Sequence, residues 1–285
     1  MKSALDRSLR KRWLKSIGWQ TLCLLMGILL ILPVLYALFI SFMAPDEILT
    51  TQLRFFPSSL RYTENYQIVF TQTRVFRFMY NSFVVAFVSS AVRIFTASLA
   101  AFSFAFFDFR GKNLLFAMVV GSMIIPADVL VVQNYFTTAE LGLINTYAGM
   151  MVVFLVSAMN IFVMRQSFLS YAKSLRDAAM VDGCGNFMFY ARILMPSNAS
   201  VITTVFISSF VGTWNTYLWP LLVTNDNSMR TAQVAVTMLN VNEGSSYGPG
   251  AVMAAAVVIL IPSILIFLTF QKRIVGGMMA GAVKG

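Results

Sequence analysis

The sequence contains no histidine and only two cysteines, and 11% of its 285 residues are charged. Without histidine, the commonest metal ligand and the usual proton shuttle near neutral pH are both missing, which excludes zinc chemistry and Ser-His hydrolysis. Cys23 lies in an apolar run and Cys184 in a polar stretch, a pair too sparse for a disulfide framework or a metal cluster. No G-x4-G-K-[ST] phosphate loop occurs, and the final GAVKG lacks its spacing. Soluble domains carry charge on about a quarter of their residues. At 58% hydrophobic and a mean hydropathy of +0.76, this chain belongs outside that class.

What the sequence does have is long apolar runs. A helix needs roughly 20 apolar residues to cross the hydrocarbon core, because backbone groups there must be satisfied within the segment. Six stretches qualify, at about 17–42, 82–107, 114–133, 148–164, 198–222 and 251–270. The fold class expected is therefore all-α, a polytopic membrane protein with six transmembrane helices. The basic opening, MKSALDRSLRKRWLK, suggests a signal peptide, but the run behind it is too long for a signal core and lacks a small-x-small cleavage site. It reads as a retained first span.

The formal charge of +10 comes from basic residues clustered at segment ends, which points to a bilayer and away from nucleic acid. With a cytoplasmic amino terminus, segments 1–16, 108–113, 165–197 and 271–285 hold 15 Lys/Arg and four acids, and the outer loops hold five and six. The positive-inside bias thus places both termini in the cytoplasm. The organisation expected is a basic tail at 1–16, a first span at 17–42, an external loop at 43–81, a core at 82–270 and a tail at 271–285. Prolines, aromatics and mixed charge in 43–81 suggest a folded cap.

One cytoplasmic stretch of the core, within 165–197, interrupts the apolar pattern: SLRDAAMVDGCGNFMFYARILMP, residues 174–196. Phe168, Tyr171/Ala172, Leu175 and Ala178/Ala179 recur at helical spacing, and after DGCG the period resumes through Phe187, Tyr190 and Ile193/Leu194 until Pro196. The pattern reads as helix, glycine turn, helix. Small Ala178 and Ala179 beside Asp177 suit either a surface that docks another protein or a helix lying on lipid headgroups.

The order Asp177-Ala178-Ala179, then Gly183, Ile193 and Pro196, resembles the EAA loop of ABC importer permeases, EAA-x3-G-x9-I-x-L-P. Asp177 stands where that family has Glu, and Met195 where it has Leu. The tail QKRIVGGMMAGAVKG, the stretch GTWNTYLWPLLVTNDNSMRTAQVAV at 212–236, and the segments FDFRGKN and MIIPADVLVVQNY are similar to the maltose-type carbohydrate permeases, so the likeness runs from about residue 64 onward. The resemblance implies the transmembrane domain of a type I ABC importer in a bacterial inner membrane. It implies a heterodimer with a second related permease, two copies of a cytoplasmic ATPase and an external solute-binding protein. ATP and Mg would reside on the ATPase, leaving no cofactor on this chain. By the same resemblance, Asp177 pairs with a basic group on the ATPase, Ala178 and Ala179 permit close docking, Gly183 allows the turn, and Asp182, Ile193 and Pro196 complete the loop.

Candidate solute-path residues lie within the spans. Arg93, near the middle of the second, is costly in lipid unless it faces protein or water. It either contacts solute or makes a structural pairing. Permeases for glycerol-3-phosphate resemble this span, and a guanidinium suits a phosphate. Asp128, two residues after Pro126, either faces the outer mouth or pairs with Arg93 or a partner subunit. Trp214, Asn215, Tyr217 and Trp219 could stack on sugar rings or anchor a helix at the interface. The Asn198-Ala199-Ser200 sequon falls at a cytoplasmic membrane edge and carries no glycan expectation. A di- or oligosaccharide is the expected solute, with glycerol-3-phosphate or a glycerophosphodiester next. The alternative, an ion-coupled secondary transporter or channel, would call for acidic or histidine relays and inverted repeats; one intramembrane acid and no histidine argue against it. An intramembrane enzyme would need a nucleophile-base pair that the spans lack.

Overall fold

The computed structural model describes residues 2–48, 50, 54–171, 173–241 and 248–280, with side chains described at 16–48, 50, 54–171, 176–239 and 248–271. All regular structure among the described residues is helical. Three helices are long and apolar enough to cross a membrane unbroken: Ser16–Ile40, Val75–Phe106 and Gly248–Gln271. Three further helix pairs pass the same test but bend sharply at a short break, giving up to six crossings in all.

A distinctive residue sits at each break. Between Lys112–Ser122 and Ala127–Glu140 the chain turns by 89°. Pro126 sits at that corner with ψ of 132°, its ring having disfavoured helix in the residue before it. Between Tyr147–Phe154 and Ala158–Leu169 the bend is 50°, and Ser157, extended at φ −146°, caps the second helix by accepting from the Asn160 N–H. Between Asn186–Ser197 and Ala199–Trp214 it is 77°. There Pro196 lies one residue before Ser197, and the Asn198 amide donates back to the Leu194 carbonyl at 2.8 Å while accepting from the Ser167 hydroxyl at 2.6 Å.

The residues form two compact units. One comprises Met1–Thr73 with Leu239–Val258. Its anchor is Asn65, buried at 4% exposure, whose amide donates to the Ser41 and Met43 carbonyls at 3.0 and 2.9 Å. Within the stretch expected as an external loop, Glu64–Thr71 forms a helix. Within the same unit a Cβ on Gly250 would stand 2.5 Å from the Asn65 amide nitrogen, so the glycine admits the close approach.

The other unit, Arg74–Met238 with Ile259–Gly285, is built on the Val75–Phe106 helix, hereafter the central helix. It begins at Val75, ahead of the apolar stretch that hydropathy marks from residue 82. Arg77 and Asn81 extend it because their polar groups are satisfied by backbone carbonyls of Ser228 and Arg230. Its buried stripe is rich in small residues, including Ala86, Ser89, Ser90, Ala97, Ser98, Ala101 and Ala105. Small side chains let helix backbones come close where lipid supplies no hydrophobic drive between helices. The Ala158–Leu169 and Ala199–Trp214 helices pack along it.

Candidate functional site

The loop singled out by the sequence folds as a Lys173–Val181 helix, a glycine turn, and an Asn186–Ser197 segment whose middle, Phe189–Leu194, is a π-helical turn. Gly183 adopts φ +78°. The Cys184 N–H donates to the Ala179 carbonyl at 2.8 Å and the Gly183 N–H to the Met180 carbonyl at 3.1 Å. This is the Schellman arrangement, in which a left-handed residue closes the helix and satisfies its last carbonyls. Cys184 also packs against the apolar cluster that contains Ala179.

The structure divides the alanine pair. Ala178 is exposed beside exposed Asp177, whereas Ala179, 7% exposed, is buried in the chain's own core with Phe168, Phe189 and Leu194. Ala179 lets the loop helix lie close on the bundle, and the outward face is left to Asp177, Ala178 and Asp182. Val181 at 87% exposure and Phe187 at 76% stand on the same exposed loop. Ile193 packs partly buried against the core cluster, and Pro196 is exposed at the sharp bend. Asp177 and Asp182 make no ion pair among the described residues.

The sequence pattern assigns no role to Arg176. In the fold its guanidinium donates to the Phe106 carbonyl at 2.8 Å and to the Asn186 side-chain oxygen at 3.0 Å. It also lies 5.7 and 5.5 Å from the ring centres of Phe106 and Phe107. Two other cations converge on this helix end: Arg165 donates to the Phe104 carbonyl at 3.3 Å, and the Lys112 amine to the Phe107 carbonyl at 2.7 Å. Helix C-termini leave their last carbonyls without intrahelical donors and carry partial negative charge, so cations are favoured there. No local pattern could have revealed the bonds of Arg165 to Phe104 and of Arg176 to Phe106, whose acceptors lie 61 and 70 residues away in sequence.

The solute-path candidates do not form one cluster. Arg93 donates through Nε to the Phe154 carbonyl and stands 5.6 Å from the centre of the Phe154 ring. The Thr96 hydroxyl donates to the Leu155 carbonyl at 3.0 Å. Together they satisfy the backbone freed at the break after Phe154, a structural employment for the arginine. Replacing Arg93 with methionine is expected to cost about 1.5–3 kcal/mol, the value of a charge-assisted hydrogen bond; a lowered thermal midpoint in detergent, equal with and without phosphorylated solutes, is the measurement that checks it.

Asp128 is exposed and pairs with neither Arg93 nor any other cation among the described residues. Trp214, 3% exposed, is buried against Ala86 and Phe210, with its ring stacked 6.0 Å from that of Phe210. Trp219, also buried, donates to the Gly149 carbonyl at 3.1 Å. Asn215 and Tyr217 remain exposed. Of the aromatic-polar group, therefore, the two tryptophans are core and only the asparagine and tyrosine are exposed.

At the other end of the central helix, Asn81 is fully buried and satisfied. Its amide donates to the Ser228 and Arg230 carbonyls at 2.8 and 2.9 Å, and its oxygen accepts from the Tyr147 hydroxyl at 2.6 Å. The Ser82 hydroxyl accepts from the Ala232 N–H at 2.8 Å. The side chain of Asn145, at φ +61°, accepts from the N–H groups of Asn225 and Asp226 at 3.1 and 3.0 Å. Asp226 in turn accepts from the Ser228 N–H, which holds its carboxyl below the usual range. These bonds order the loop at 224–231.

Continuous and broken apolar helices, together with an anchored helix-turn-helix, define a membrane-embedded all-α protein. The chain belongs to the family described as binding-protein-dependent transport system inner membrane component, whose model matches residues 22–279. It is 31% identical to an arabinooligosaccharides transport system permease protein of Bacillus subtilis (strain 168), over 78% of this chain and 79% of that one. It is also 31% identical to an sn-glycerol-3-phosphate transport system permease protein of Rhizobium meliloti (strain 1021), over 90% of this chain and 94% of its relative. A solved bacterial ABC transporter, involved in the import of the acidic polysaccharide alginate, shares the fold at a TM-score of 0.81 and 18% identity, covering 90% of this chain and 95% of that one. The protein is thus a multi-pass permease subunit of an ABC importer. It translocates solute without being an enzyme itself, and it works with a partner ATPase and a solute-binding protein.

Proposed function

We propose that the loop at 173–197 is the docking site for the cytoplasmic ATPase, and that this subunit, paired with a second related permease over two ATPase copies, passes an oligosaccharide inward. The observation that carries the reading is the Schellman-closed loop, which exposes Asp177, Ala178 and Asp182 while Ala179, Cys184 and Ile193 fasten it to the bundle. Both termini then lie in the cytoplasm, in keeping with the bias of Lys and Arg toward 1–16, 108–113, 165–197 and 271–285. ATP and Mg are held by the ATPase, whose closure is transmitted through the loop.

An oligosaccharide is favoured over a glycerol phosphate because Arg93, in the middle of the central helix, is engaged by a backbone carbonyl and an aromatic ring. Asn215 and Tyr217 remain open to sugar hydroxyls. The names of the relatives, arabinooligosaccharide and glycerol-3-phosphate permeases, span the same two choices. Two measurements test the proposal. A thermal-shift panel on the neighbouring binding protein is expected to show stabilisation by pentose or hexose oligosaccharides and none by glycerol-3-phosphate. In proteoliposomes holding the two permeases and the ATPase, uptake of the stabilising sugar is expected to require internal ATP; uptake driven by a proton or sodium gradient with an inactive ATPase would overturn it.

A further inference from the structure

The loop and the central helix are joined by two polar contacts that no helical propensity requires. One is the Arg176 guanidinium, which bridges the last turn of the central helix and the start of the returning segment through Phe106 and Asn186. The other is the Tyr190 hydroxyl, in the π turn, which is 2.7 Å from the Ser98 hydroxyl and buried. A π turn inserts an extra residue into the helical ladder and is frequent at functional positions; here it belongs to the segment that presents Tyr190 to the central helix. Around both contacts, Phe102, Phe189, Tyr190 and Leu194 form a single apolar cluster, with the Phe102 ring 5.2 Å from that of Tyr190 and the Phe106 ring 5.5 Å from that of Phe189.

The same helix, about 38 Å away along its axis at 1.5 Å per residue, holds the loop at 224–231 through Asn81, Ser82 and Arg77. The central helix contains no proline and no break between these ends, the features at which helices bend. A displacement imposed on one end is therefore delivered to the other.

We propose that Arg176 is a positioning residue that makes the loop helix and the central helix move as one piece, and that the central helix relays this movement to the loop at 224–231 through Asn81. The inference rests on the ATPase-docking reading of the loop. Arg176 does not itself face the ATPase: its donors point into the permease, onto Phe106 and Asn186. Lysine would not replace it, because a single ammonium cannot reproduce a planar fork that reaches two acceptors while facing aromatic rings.

The test uses the assembled permease pair, ATPase and binding protein in nanodiscs, with Asn225→Cys as a reporter. Asn225 is exposed and contributes only its backbone N–H to the bond with Asn145. Background from Cys23 and Cys184 is subtracted with the parent complex. Maleimide labelling of the reporter is followed with and without ATP and vanadate, alongside the amount of nucleotide trapped.

Coupling between protein sites typically corresponds to about 5- to 150-fold. The unsubstituted complex is accordingly expected to change its labelling rate at least about fivefold on trapping. Arg176→Gln is expected to trap the same amount of nucleotide and to lose the change in labelling. Asn186→Leu, which removes one acceptor at an exposed position, should lose part of it, and Asn186→Asp, which keeps the acceptor, should retain it. A labelling change that survives in Arg176→Gln would overturn the relay. So would loss of trapping in Arg176→Gln, which would make the arginine a determinant of docking. If the unsubstituted complex traps no nucleotide, the docking reading itself fails, and that outcome is distinct from both.

Discussion

Replacing Gly183 with valine is expected to abolish ATP-dependent uptake while leaving the protein in the membrane. A Cβ at this position would meet nothing within 4 Å, so no clash is involved, but the residue holds φ +78°. An L residue in the left-handed region costs roughly 1–2 kcal/mol, and β-branching makes it a genuine outlier there. At about 2 kcal/mol the closed turn would lose roughly thirtyfold in population. The Cys184 to Ala179 and Gly183 to Met180 hydrogen bonds would then be given up, and with them the placement of Asp177 and Ala178. Because the cause is conformational, Gly183→Asn should retain most uptake, asparagine being the residue that best tolerates this region after glycine. If Asn is as damaging as Val, space at the docked interface and not φ is the determinant.

Asp177→Lys is the companion test of the surface itself. The carboxylate is exposed and makes no ion pair among the described residues, so its reversal removes no internal bond. Loss of uptake with an unchanged thermal midpoint is the expected result.

The largest stability effect is expected from Gly149→Ala. Its Cβ would stand 2.2 Å from the Leu143 carbonyl oxygen and 3.0 Å from the carbonyl carbon. Those are backbone atoms, and they cannot rotate away as a side chain would. The segment is held from three sides: Gly149 N–H donates to the Thr146 hydroxyl at 3.1 Å, that hydroxyl donates to the Leu143 carbonyl at 2.7 Å, and the Gly149 carbonyl accepts from buried Trp219 at 3.1 Å. Relief would require the Tyr147–Met151 helix to move off Leu143 and break at least one of these bonds. Overpacking alone typically costs about 1–3 kcal/mol, and loss of a buried hydrogen bond adds about 1–3 more. Gly149→Ala should therefore fail to accumulate in the membrane or should lose its cooperative thermal transition. Wild-type abundance and midpoint would show that the backbone at Leu143 yields, contrary to this geometry.

The helical class and the presence of several apolar helices were legible in the sequence because the bilayer imposes a local rule. Every backbone group in hydrocarbon must find a partner within its own segment, so length and hydropathy suffice. The DGCG turn was legible too, since glycine acts on the backbone at its own position, whereas the corner at Pro126 lies inside a stretch that hydropathy reads as one continuous span, 114–133. The break at Ser157 has no such mark: serine is common inside apolar helices, and its capping role depends on the chain having already turned.

The sequence by itself therefore determined the membrane class, the family and the existence of a glycine-closed loop. Only the tertiary structure decided which alanine of the pair faces outward, because that depends on the phase of the Lys173–Val181 helix against Phe168, Phe189 and Leu194. Only it could give Arg93 the Phe154 carbonyl and Arg176 the Phe106 carbonyl, partners 61 and 70 residues distant along the chain. Hydropathy is a property each residue carries with it, whereas the partner of a buried polar group is set by which helix ends the fold brings together.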